Sequence, residues 1–150
     1  MKKYILVIAL ALLPFCAGAF EFDGIDLNSS YIKVTQEIAK RGYIYNHELN
    51  CLEGDCQGTR IYLNINYIDV KQPGQLGQLI VNIPMRGNQD EVFSQAVTLF
   101  DVIYHRVKDA EGKSAYQVDT DGTQLLIGRR DGFITLTYNT PAYSVKKSAK

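Results

Sequence analysis

Three groups of residues in this chain have types that could do chemistry. The first is His47 with Cys51 and Cys56, the two cysteines being separated by Leu-Glu-Gly-Asp. An imidazole and two thiolates can ligate zinc, but a structural zinc site takes four protein ligands and this spacing follows no such pattern. In an oxidising compartment two cysteines this close predict a disulfide, Cys51 to Cys56, clasping a polar loop between strands. Closing so short a loop is worth about 2 kcal/mol on the chain-entropy account. The bridge also removes Cys56 as a nucleophile, since nucleophilic catalysis needs a free thiolate beside a base. The second group is Asp101 and His105, four apart in a helical stretch and therefore neighbours on its surface. No serine, cysteine or third carboxylate stands at a spacing that completes an acid–base site, so the pair reads as solvated surface. Neither a metal nor a cofactor is implied, and the expectation is of a protein that is not an enzyme.

The third group has no titrating chemistry. Tyr62, Asn64, Asn66, Asn82, Gln117, Phe133 and Thr135 fall in the strand phase opposite to the apolar one, joined by Gln124, Thr137, Ile80 and Leu126. Exposed sheet faces usually carry many Lys and Glu, whereas this set is amide, hydroxyl and aromatic. Such groups can bond a partner without desolvating a charge, and aromatics are enriched in interface cores. Strand propensity and cross-strand pairing account for Thr and Tyr on a solvated face equally well.

Those residues need elements to hold them. Asn28-Ser29-Ser30 offers N-caps for a helix with Tyr31, Val34, Ile38 and Ala39 on one side, stopping at Lys40-Arg41-Gly42. A second helix starts at Asn88, with Glu91 completing a capping box. It carries Phe93, Ala96, Val97, Phe100, Ile103, Tyr104 and Val107 at helical spacing. Elsewhere the period is two. Tyr43 to Leu49 predicts a strand leading into the cysteine loop. Ile61, Leu63, Ile65 and Tyr67 alternate with polar residues, as do Leu79, Val81 and Ile83. Asp121-Gly122 and Asp131-Gly132 predict hairpins that set Arg130 against Phe133. They bring Tyr116, Val118, Leu125, Ile127, Ile134, Leu136 and Tyr138 to one face. The expected fold is therefore α+β, two helices packed on one face of an antiparallel sheet in the order αβββ-αβββ. Gly58-Thr59-Arg60-Ile61 echoes Gly122-Thr123-Gln124-Leu125, and Gly77-Gln78-Leu79-Ile80 echoes Gly132-Phe133-Ile134-Thr135, suggesting a weak internal duplication.

The ends predict a destination. Met1-Lys2-Lys3, the apolar run Tyr4 to Leu13 and the small residues Ala17-Gly18-Ala19 have the layout of a secretory signal peptide over 1–19, cleaved after Ala19. The run is about half of what a spanning helix needs, so no permanent membrane anchor is expected. Pro14 and Phe15 before Cys16 are not the small residues of a lipoprotein signal. Cleavage takes two lysines from a chain with 16 Lys+Arg and 16 Asp+Glu, leaving a slightly acidic domain with no basic stripe for nucleic acid. Residues 20–140 suit a single domain, and 141–150 read as a disordered basic tail.

Phe22-Asp23-Gly24-Ile25, Lys40-Arg41-Gly42-Tyr43 and Leu52-Glu53-Gly54 together resemble a pattern of small exported bacterial envelope proteins of uncharacterised function. The resemblance brings no activity; together with the signal peptide it fits an exported protein, expected in the periplasm or, alternatively, secreted. The leading functional expectation is a non-enzymatic binding protein that holds a protein partner on the uncharged face, of inhibitor or immunity type. A small-ligand or glycan binder stacking on Tyr62 and Phe133 is the alternative, and a hydrolase using His47 or His105 the third.

Overall fold

The computed structural model describes residues 21–68, 74–110, 113–117, 123–141 and 143. The expected signal peptide, the Asp121-Gly122 turn, Val118 and most of the expected tail lie outside the described residues. Strands β1 (Glu21–Phe22) and β2 (Ile25–Asp26) form a hairpin. Asp23 and Gly24 close it with φ of 49° and 74°, the two left-handed positions of a type I′ turn. Helix α1 (Tyr31–Lys40) opens where the Ser30 hydroxyl accepts the Lys33 amide at 3.2 Å, and Gly42 turns left-handed after its end. A meander follows, β3 (Ile44–Asn46), β4 (Cys51–Cys56), β5 (Thr59–Tyr67) and β6 (Leu76–Pro84). Helix α2 (Gln89–Ile103) starts at Asn88, whose side chain accepts the amides of Asp90 and Glu91. It leads into a second meander, β7 (His105–Ala110), β8 (Lys113–Gln117), β9 (Gln124–Arg130) and β10 (Phe133–Asn139).

The two meanders join through β6 and β10 into one antiparallel sheet of eight strands, ordered β3-β4-β5-β6-β10-β9-β8-β7. This overturns the expected α+β fold and its αβββ-αβββ order. The protein is mostly sheet, and the described chain runs ββ-α-ββββ-α-ββββ. The missed strands have physical reasons. β4 reads Cys-Leu-Glu-Gly-Asp-Cys, with acidic residues and a glycine where alternation would need apolar ones. β7 was hidden inside an apparent helical stripe. Tyr104 takes an extended conformation (φ −117°, ψ 155°) and ends α2, so Val107 belongs to a strand and is exposed. The echoing strings do not fall at like points, since Thr59 opens β5 while Thr123 precedes β9, and Gly77 lies inside β6 while Gly132 lies in the turn before β10.

Burial follows the period-two reading. Tyr116, Leu125, Ile127, Ile134, Leu136 and Tyr138 are all buried, and Arg130 lies opposite Phe133 across the Asp131-Gly132 turn. They join one cluster with Ile61, Leu63, Leu79 and Val81, to which the helices add Val34, Ile38, Ala96 and Phe100. Phe22 of β1 is sealed in the same cluster, its ring edge-on to Tyr138 at 6.4 Å. Gly54 holds β4 in this arrangement, because a Cβ there would lie 2.7 Å from Cγ and 2.8 Å from Cε1 of Tyr43. The tyrosine ring occupies the space that a side chain on the core phase of β4 would fill. Gly54→Ala should accordingly lower stability by about 1–3 kcal/mol through overpacking, read from urea unfolding midpoints.

Candidate functional site

Strand pairing places the polar phase of the sheet in rows that run across the strands. In one row Glu53, Tyr62, Asn82, Thr135 and Gly128 stand side by side on β4, β5, β6, β10 and β9. In the next, Asn64, Ile80, Thr137, Leu126 and Ala115 do the same from β5 to β8. A third row runs Asn66, Gln78, Asn139, Gln124 and Gln117. Five of the expected binding residues, Tyr62, Asn64, Asn82, Phe133 and Thr135, therefore gather over the neighbouring strands β5, β6 and β10. Asn66 lies one step along the sheet, and Gln117 sits farther off on β8.

Side-chain contacts tie this face together. The Tyr62 and Phe133 rings meet edge to face at 5.8 Å and 84°. The Thr135 hydroxyl donates to Asn82 Oδ1 at 3.1 Å, and Asn64 Nδ2 donates to the carbonyl of Asn50 at 3.1 Å, linking the face to the β3–β4 turn. These bonds leave the Asn82 amide hydrogens and Asn64 Oδ1 without a side-chain partner among the described residues. Along the third row Asn66 Nδ2 donates to Gln78 Oε1 and Gln78 Nε2 to Asn139 Oδ1, both at 2.9 Å. Gln78 and Asn139 are buried, so this ladder satisfies amides that would otherwise cost energy in the sheet.

Two features of the face escaped the sequence reading. Gln78 and Asn139 share the parity of Asn82 and Thr135 on their own strands, and the cross-strand register sets them side by side. The margin is also charged, since Arg60 pairs with Asp55 at 3.2 Å and Glu53 at 3.4 Å, beside Tyr62. Both acids come from β4, where the sequence predicts a loop.

The residues with reactive side chains do not assemble. Cys51 and Cys56 open and close strand β4, which spans about 17 Å between their Cα atoms at extended rise. A disulfide needs Cα atoms within about 7 Å, so the expected clasp does not fit this strand, and both thiols are free. An odd separation also turns them to opposite faces. Cys56 joins the core cluster, while Cys51 takes the phase of Glu53. Burial pushes the Cys56 thiol up to about 11, with the Asp23 carboxylate adding to the rise and the neighbouring Tyr43 hydroxyl opposing it. Burial, then Glu53, raises Cys51 as well. Neither is the depressed thiolate that nucleophilic catalysis uses. Labelling without reductant should find both thiols unreactive in the folded protein and both reactive after denaturation. Loss of both signals in the denatured sample would restore the disulfide.

His47 lies exposed in the β3–β4 turn, its ring edge-on to Tyr45 at 4.8 Å. His105 begins β7, so the helical spacing that would join it to Asp101 is lost. Asp101 instead accepts two bonds from Arg106, at 2.8 and 2.6 Å, and one from the Tyr116 hydroxyl at 2.9 Å. The Arg106 bond, ahead of the Tyr116 bond, holds the Asp101 carboxyl below its ordinary range against a smaller burial effect. This is a structural clamp at the end of α2. Among the described residues no three His, Cys, Asp or Glu side chains group to hold a metal, and no helix is long and apolar enough to cross a membrane. A polar cleft of about 440 Å³ between the β9–β10 turn and the start of α2 is lined by Asp90, Arg129, Arg130 and Asp131. Its charges pair internally, Arg129 with Asp90 and Arg130 with Asp131.

What the chain presents is a mostly-sheet domain with an aromatic and amide face and no assembled catalytic group among the described residues. Comparison with protein-family models, with curated proteins and with solved structures finds no match.

Proposed function

We propose that this protein is a non-enzymatic, exported binding protein of the bacterial envelope that holds a protein partner on the polar face of its sheet, in the manner of an inhibitor or immunity protein. The observation that carries the reading is the patch over β5, β6 and β10. There an edge-to-face aromatic pair lies beside Asn64, Asn82 and Thr135, with charge at its margins, Arg60 and its acids beside Tyr62 and Arg130 beside Phe133. That composition matches the core-and-rim layout of protein interfaces, in which aromatics sit centrally and charges lie outside. The 84° angle between Tyr62 and Phe133 gives no shared flat surface for a sugar ring, which favours a protein over a glycan.

The test is affinity purification from envelope extract with identification by mass spectrometry, using the wild type beside Asn64→Lys with Thr135→Lys. A partner recovered by the wild type and lost from the folded double variant supports the reading. A partner recovered equally by both places the binding surface elsewhere.

A further inference from the structure

The two ends of the sheet are unlike. β7 carries the devices that keep an edge strand from pairing with another chain. Its ladder has a register shift between Arg106 and Lys108, and charged residues occupy three of its six positions. A two-fold pairing of β7 about Val107 would set Arg106 opposite Lys108 of the other copy, two like charges face to face, which is destabilising. β3 has neither device. Its pairing with β4 is regular through Ile44, Tyr45 and Asn46, and from Gly42 to Asn46 there is no Lys, Arg, Asp, Glu or Pro. Its apolar side chains are open to solvent, Ile44 at 63% and Tyr45 at 49%, with Leu49 in the adjoining turn at 58%.

We propose that the β3 edge pairs antiparallel with the β3 edge of a second copy of this chain, about a two-fold axis through Tyr45. The strand is its own complement. The axis sets Tyr45 against Tyr45 and Ile44 against Asn46, with no charge in either contact, and it covers part of the apolar surface that both strands expose. Among the described residues no strand pairs with the outward side of β3, and its N–H and C=O groups there gain ladder partners from the second copy. Ile44 stands in one cross-strand row with Glu53 and Tyr62, so the pairing also joins the polar faces of two copies into one continuous surface. A strand of three residues makes a small interface of the weak class, and association is sought at about 0.1–1 mM protein.

Sedimentation equilibrium on the purified protein tests this. The wild type should shift from the mass of one chain toward that of two across that range. Tyr45→Lys, which sets two like charges directly opposite, should stay at one chain with an unchanged circular dichroism spectrum. Val107→Lys at the other edge should behave as the wild type. Tyr45→Cys gives a second readout. Opposed Cα atoms in an antiparallel pair lie about 4.5–5.5 Å apart, inside disulfide range, so oxidation should yield a covalent dimer that Val107→Cys does not form. A wild type of one-chain mass throughout, a Tyr45→Lys variant that still associates, or a failed Tyr45→Cys cross-link overturns the proposal. The partner-capture experiment is read separately, because a single chain can still present the polar face.

Discussion

Leu136→Ala should cost about 2–5 kcal/mol of folding free energy, while Thr135→Ala, its neighbour on the same strand, should cost less than about 1 kcal/mol. Leu136 sits midway along β10, the strand on which the two meanders meet, and pairs with Val81 on one side and Ile127 on the other. All three side chains are buried in the common cluster. Truncation therefore opens a cavity where two halves of the sheet converge, with little freedom for the backbone to collapse into it. Thr135 points the other way and gives up one hydrogen bond to Asn82. Urea unfolding of the two variants reads the difference directly, since neither change should alter the slope of the transition. Equal losses at both positions would mean that the two faces of β10 are not distinct, and the polar face would lose its standing as a surface.

That distinction between faces was the part of the fold most legible in the sequence. Alternation in β5 and β10 set the core phase there despite apolar Ile80 and Leu126 in the neighbouring strands, and Asp131-Gly132 set the register of the last hairpin because its two left-handed positions admit few alternatives. The helix starts were equally plain, since Ser30 and Asn88 sit where unsatisfied amides need a side-chain acceptor. What misled was the absence of alternation where tertiary contacts replace it. β4 is held by its neighbours β3 and β5, and its core position is a glycine filled by the ring of Tyr43. Without a strand there, Cys51 and Cys56 looked like the ends of a loop, and short spacing looked like proximity. In an extended strand the same spacing means distance and opposite faces. The α+β assignment failed for a related reason. Val107 continues the helical period numerically, but nothing in a periodicity shows that Tyr104 has already left the helix.

The polar face was legible as a set and illegible as a geometry. Opposite phase alone grouped Tyr62, Asn64, Asn82, Phe133 and Thr135 correctly, since parity within each strand is a local property. Their distances depend on which strands are neighbours, and β6 meets β10 only through the closure of the two meanders. That closure is a long-range pairing with no local signal, and it alone sets Gln78 beside Asn139.

Tyr62→Ala together with Phe133→Ala should weaken binding of the captured partner by about 2–4 kcal/mol, roughly 30- to 1000-fold in Kd. The two rings form the one aromatic contact on the polar face of the described sheet, on adjoining cross-strand rows with Asn82 and Thr135 beside them. Aromatic pairs at the centre of an interface contribute far more than their surroundings because they carry large area at low entropic cost. In the free protein the same pair should be worth only about 0.5–1.5 kcal/mol of stability, the usual value of an edge-to-face contact. The two measurements thus separate a binding role from a structural one. A double variant that keeps most of its stability and loses its partner makes the rings the anchor of the interface. A variant that binds as the wild type moves the anchor off this face, and the exposed Tyr45 and Leu49 at the β3 edge become the surface to substitute next. A variant that loses several kcal/mol of stability shows that the rings brace β5 against β10, and the partner contacts must then be sought among Asn64, Asn82 and Thr135 alone. Single substitutions resolve the remaining ambiguity, because coupling between the rings appears as non-additivity in binding only if the partner touches both.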